Sequence, residues 1–189
     1  SVEAMRILLL THAFNGLAQR LFVDLRAAGH AVSVELDIAD AVTEEAVALF
    51  KPDLIIAPFL KRPIPESIWS RHFFFFFFFG VPGDRGLSVL VWAIRHGLGE
   101  WGVTVLQAEA EMDAGPIWAS ATFPMRQARK SSIYRNEVTE AAVRAVIAAV
   151  DRYFSGNFTP QQVAGKAHAL MTQADRAIDW TEQTTAEIL

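Results

Sequence analysis

Phe73 to Phe79 are seven phenylalanines in succession, and any fold that holds them must cover both sides of one short segment. The run has the length of a single buried strand. In a strand successive side chains point to opposite faces, so Phe73, Phe75, Phe77 and Phe79 would share one face and Phe74, Phe76 and Phe78 the other. Each buried ring could contribute roughly 1.5–3 kcal/mol, and overpacking would return about 1–3 kcal/mol at each crowded site. Left exposed, an uncharged, proline-free window of this kind is an aggregation hazard. The run is therefore expected to be a central strand with helices over both faces.

The flanking sequence supplies such a setting. Ile7-Leu8-Leu9-Leu10 is a continuous apolar run and reads as a central parallel strand. Leu17, Leu21, Val23 and Leu25 mark a helical face that ends at Gly29. Val32–Leu36 reads as a second strand, and 43–50 as a helix with Thr43 as its N-cap. Asp53–Ala57 reads as a third strand, after which Pro58, Pro63 and Pro65 make the segment 58–65 an irregular loop. A short helix over Glu66–Ser70 leads into the phenylalanines. Further on, the pattern predicts a helix over Leu87–His96, strands over Val103–Ala108 and Ile117–Phe123, and one long helix over Ser131–Phe154. This alternation predicts an α/β fold, a mostly parallel twisted sheet with helices on both faces. The expected division is an α/β domain over 1–157, with 158–189 as a C-terminal tail and the start of a linker helix.

Bulk properties exclude several classes. The formal net charge of −4 does not suggest a nucleic-acid partner. The absence of cysteine excludes disulfides, thiolate metal sites and cysteine catalysis, and a cytoplasmic location is expected. No apolar stretch reaches the roughly 18 residues a membrane helix needs, so no membrane partner is expected. The start lacks a signal-peptide layout, and Met5 reads as a natural start after four added residues.

The chemistry-bearing residues fall in loops after strands, where open α/β sheets bind ligands. His12, His30, His72, His96 and His168 are scattered without metal-ligand spacing, so no metal is expected. There is no G-x-G-x-x-G fingerprint after the first strand. Asp113, in Met112-Asp113-Ala114-Gly115, can be a carboxylate that orients a base or moves protons. It can equally be an aspartate bonded to its own turn. Asp84-Arg85-Gly86 can be an ion-paired turn or an anion contact; taken alone, the turn is the better reading.

Several stretches together resemble the formyltetrahydrofolate-dependent formyltransferase domain. They are Met5-Arg6-Ile7-Leu8, Asp53–Ala57, Pro82-Gly83-Asp84-Arg85-Gly86, Trp101–Val105 with Met112–Gly115, and Gln173–Trp180. Thr11-His12-Ala13-Phe14-Asn15 and Lys130-Ser131-Ser132 resemble one branch, the N-terminal domain of a hydrogenase-maturation factor. The resemblance covers nearly the whole chain. It implies a Rossmann-like formyltransferase fold, 10-formyltetrahydrofolate or tetrahydrofolate as substrate without a metal, and formyl transfer as the first step towards the carbon monoxide ligand of nickel-iron hydrogenase. The partners it implies are a C-terminal domain beyond this sequence and other hydrogenase-maturation proteins.

By the same resemblance, Leu60, Lys61 and Arg62 meet the folate pterin through backbone groups, Asp84, Arg85 and Gly86 border the substrate, and Asp113 is catalytic. The family's histidine, which closes the fourth strand, falls at Phe78, and its asparagine at Phe76. Neither matches, so neither role carries over, and weakened or absent activity is expected. The alternative is a non-catalytic scaffold with an apolar pocket, the phenylalanine run being an introduced segment.

Overall fold

The computed structural model describes residues 4–78, 100–108, 114–124 and 130–160. Its strands are β1 (Arg6–Thr11), β2 (Ala31–Leu36), β3 (Leu54–Phe59), β4 (Phe74–Phe78), β5 (Glu100–Ala108) and β6 (Ala114–Pro124). They form one sheet in the order β2-β1-β3-β4-β5-β6. β1 to β4 pair in parallel, and β5 is antiparallel to both its neighbours. The helices are α1 (Gly16–Ala27), α2 (Asp40–Phe50), α3 (Glu66–Trp69), α4 (Lys130–Ile133) and α5 (Thr139–Ser155).

Strand alternation divides the core into two clusters. Ile7, Leu9, Phe75 and Phe77 face a cluster completed by α1 and α5. Leu8, Leu10, Phe74 and Phe76 face the other, with Val47 of α2 and Ile68 of α3. The phenylalanine strand is thus central, as its composition requires, and Phe74, Phe75 and Phe76 are wholly buried. On the α1 side the rings form an aromatic stack. Phe73 lies 4.2 Å from Tyr153, and Phe75 lies 5.5 Å from Trp118, centroid to centroid.

The mostly parallel sheet with helices on both faces is the one the sequence predicts, and the structure refines or departs from the rest of that reading in five places. The sheet ends in an antiparallel hairpin, because the connection between β5 and β6 is too short for the crossover a parallel pair needs. β3 continues through Pro58 to Phe59, where the pairing with β1 shifts between Leu9 and Thr11; an irregularity of this kind tolerates a residue without an N–H. Val23 is exposed, because the α1 face follows Leu17, Ala18, Leu21 and Leu25. Thr43 is not a cap, since α2 begins at Asp40, and the threonine is buried inside the helix. The expected long helix is interrupted by a π-helical turn, Tyr134–Val138, where the Asn136 amide donates to the Ser132 carbonyl at 2.8 Å. Helix α5 then ends at Gly156, whose φ of 72° is the left-handed conformation that favours glycine.

Asn15 caps α1 by accepting from the Ala18 N–H at 3.0 Å. Asn15→Ala is expected to cost about 1 kcal/mol of stability in urea titration, the usual loss for an N-cap.

Candidate functional site

The carboxyl ends of β1, β2 and β3 carry loops that are hydrogen-bonded into one rim. The Asp37 N–H donates to the Thr11 carbonyl at 2.9 Å, which fastens the end of β2 to the end of β1. The His12 N–H donates to the Phe59 carbonyl at 2.6 Å, and the Thr11 hydroxyl lies 3.1 Å from the same oxygen. Thr11 is completely buried. It is a polar side chain held inside by backbone acceptors, the arrangement that makes such burial tolerable.

The third tie is ionic. Arg62, in the loop after β3, donates to Asp37 Oδ1 at 2.8 Å and also pairs with Asp40, the first residue of α2. Thr43 donates its hydroxyl to the same Asp37 oxygen at 2.7 Å. The Arg62 guanidinium is raised above its ordinary value. Burial works against its charge, and the hydrogen bond to Asp40 and the field of Asp37 outweigh it.

The loop Leu60–Arg62 therefore presents a specific surface. The side chains of Leu60 and Ile64 are buried in the α2–α3 cluster, and Arg62 is turned onto Asp37 and Asp40. Lys61 is exposed, its Nζ 5.8 Å from the centre of the Phe59 ring. The exposed His12 ring also lies near Phe59, 5.7 Å centroid to centroid. With two of the three side chains occupied elsewhere, the loop has its backbone and the Lys61 ammonium to offer a ligand. Among the described residues the rim offers hydrogen-bonding groups, the Lys61 ammonium and the His12 imidazole. Among the described residues no three His, Asp or Glu side chains gather as a metal site. Nor is any helix there long and apolar enough to cross a membrane.

Phe78 is the last residue of β4 and is paired with Thr104 of β5. Phe76, two residues earlier, is paired with Ala57 and Leu106, with its ring in the core. Asp113, Asp84, Arg85 and Gly86 lie outside the described residues. Ala114, which follows Asp113, pairs with Ala108. That is four residues along β5 from Thr104, or about 13 Å at the usual strand rise. Sequence reasoning missed Asp37, Thr11 and Phe59 as parts of the rim. Asp37 and Asp40 lie between a predicted strand ending at Leu36 and a predicted helix starting at 43, and that placement was the available signal.

No model of a known protein family matches the chain. It is 55% identical over 98% of its length to the hydrogenase maturation factor HoxX of Bradyrhizobium diazoefficiens, covering 34% of that protein. Its structure superposes on HypX from Aquifex aeolicus in complex with tetrahydrofolic acid with a TM-score of 0.80 and 48% identity, covering 98% of this chain and 33% of HypX. A methionyl-tRNA formyltransferase of Roseiflexus sp. strain RS-1 is 33% identical over 108 residues, 54% of this chain and 32% of that enzyme. The chain spans about a third of the length of HoxX and of HypX. It is related to HoxX and HypX over nearly all its residues, and its fold is of the formyltransferase type.

Proposed function

We propose, from this kinship with HoxX and HypX, that the chain is the folate-binding, formyl-transferring unit of a hydrogenase-maturation factor. The observation that carries the reading is the match, over 98% of this chain and 33% of the other, to a HypX crystallised with tetrahydrofolic acid. In this reading 10-formyltetrahydrofolate lies across the rim, its pterin on the backbone of Leu60, Lys61 and Arg62. Asp84, Arg85 and Gly86 border the same cleft. Asp113 supplies the carboxylate that would orient a proton-transfer group. The formyl group released here is the precursor of a carbon monoxide ligand for nickel-iron hydrogenase, completed by another part of the factor. A cytoplasmic setting suits a chain without cysteine.

Activity in this sequence is weak. Phe78 stands where the family resemblance places a histidine, and a phenyl ring cannot exchange the proton that an imidazole exchanges near neutral pH. Binding does not need that proton, so affinity and turnover separate. Titration with tetrahydrofolate, followed by calorimetry, is expected to show saturable binding at one site, together with little formyl release from 10-formyltetrahydrofolate. Absence of saturable binding would overturn the reading and favour the apolar scaffold.

A further inference from the structure

We infer that Asp37 is a positioning residue for the ligand loop, acting through Arg62 to fix where the backbone of Leu60–Arg62 stands. The inference rests on the folate reading above and adds to it how the loop is held.

Asp37 is an unusual residue to find inside. Its side chain is fully buried. One carboxylate oxygen receives both Thr43 and Arg62, while Oδ2 has no hydrogen-bond partner among the described residues. A buried carboxylate costs free energy unless it is paired and hydrogen-bonded, and an unused oxygen leaves part of that cost standing. An apolar residue at position 37 could satisfy the sheet, because the Asp37 N–H bond to Thr11 is made by the backbone. What the carboxylate adds is a fixed acceptor for Arg62. That arginine sits midway between Leu60 and Ile64, whose side chains are buried in the core. The loop is thus fastened at both flanks by apolar burial and in the centre by an ion pair. Loops without regular structure are otherwise the most mobile parts of a domain. A pterin recognised by main-chain groups needs those groups preorganised, since ordering them on binding would subtract from affinity.

The test uses Asp37→Asn, Arg62→Met and Arg62→Lys in the 189-residue chain. Two quantities are measured: amide hydrogen exchange across residues 60–65, read at Leu60, Lys61, Arg62 and Ile64 because Pro63 and Pro65 carry no N–H, and tetrahydrofolate affinity by calorimetry. Asp37→Asn and Arg62→Met are expected to speed exchange in 60–65 while β1 and β3 keep their protection. Both are expected to weaken tetrahydrofolate binding about tenfold, and Arg62→Lys to recover part of the loss. Unchanged exchange in 60–65 for Asp37→Asn overturns the inference whether or not folate binds. Faster exchange with unchanged affinity also overturns it, as does a uniform rise in exchange across the sheet, which would make the carboxylate a general stabiliser. A parent chain that binds no tetrahydrofolate overturns the proposed function instead.

Discussion

Phe78→His is expected to raise formyl release from 10-formyltetrahydrofolate by about 10²–10⁴-fold, the usual contribution of a positioned acid–base group. Residue 78 closes β4 at the carboxyl end of the parallel strands, the end at which open α/β sheets bind their ligands. The companion change behaves differently. An asparagine at 76 would hydrogen-bond a developing oxyanion, worth about 10²-fold or more where geometry allows. Yet Phe76 is wholly buried among Leu8, Leu10, Ile55 and Leu106. Phe76→Asn would remove a large apolar ring from that cluster and leave an amide there, costing several kcal/mol from the cavity and the unpaired polar group. The double variant is therefore expected to be less stable than Phe78→His alone, whatever it gains in rate. Formyl release would be followed for the parent, Phe78→His and the double variant, with circular dichroism confirming the fold of each. A parent that already matches Phe78→His in rate would show that position 78 is not where the proton is handled.

Phe75→Ala is expected to cost about 3–5 kcal/mol of stability, the range for large-to-small changes at a fully buried aromatic. The ring is completely buried. Its neighbours Phe73, Trp118 and Tyr153 lie 6.0, 5.5 and 6.1 Å away, centroid to centroid. Such pairs add about 0.5–1.5 kcal/mol beyond burial. A domain's whole stability is about 5–15 kcal/mol, so the variant should approach the limit of folding. By contrast Arg20→Met, which removes an exposed pair with Glu140 and Asp24, should cost under about 1 kcal/mol. Urea midpoints at constant m-value measure both changes. A Phe75→Ala loss no greater than that of Arg20→Met would mean that the β4 rings do not hold the sheet.

The parallel half of the fold was legible because its signals are local. Ile7–Leu10 and Asp53–Ala57 are apolar runs bounded by loops, and the phenylalanines demand burial on both faces whatever surrounds them. Gly156 marks its helix end as glycine does elsewhere. The direction of β5 was not legible. Alternation specifies which residues face inward but not which way the strand runs; the short connection to β6 makes those two strands antiparallel to each other and leaves open which of them opposes β4. Pro58 misled for a related reason, since a proline ends a strand only where its missing N–H was needed. The rim was hidden because it depends on distant residues. Nothing near Arg62 in sequence announces a carboxylate at 37, and Thr43 fits a helix cap by composition while serving Asp37 in space. Leu60 and Arg62 were reached through family resemblance, and the structure buries the Leu60 side chain and pairs that of Arg62 with Asp37 and Asp40.

The strand at the centre of the sheet has one further property. Moving a strand by one position ordinarily exchanges its inward and outward faces, and this penalty locks the alignment. β4 is five residues of a seven-residue homopolymer, so sliding it by one presents the same rings to the same neighbours. Its own side chains hold no information about alignment, and the shifted arrangements are degenerate in everything except their ends. What breaks that degeneracy lies outside the run, as with Arg71 and His72 before it. Any single non-phenylalanine residue placed inside the run would write a coordinate into a stretch that has none.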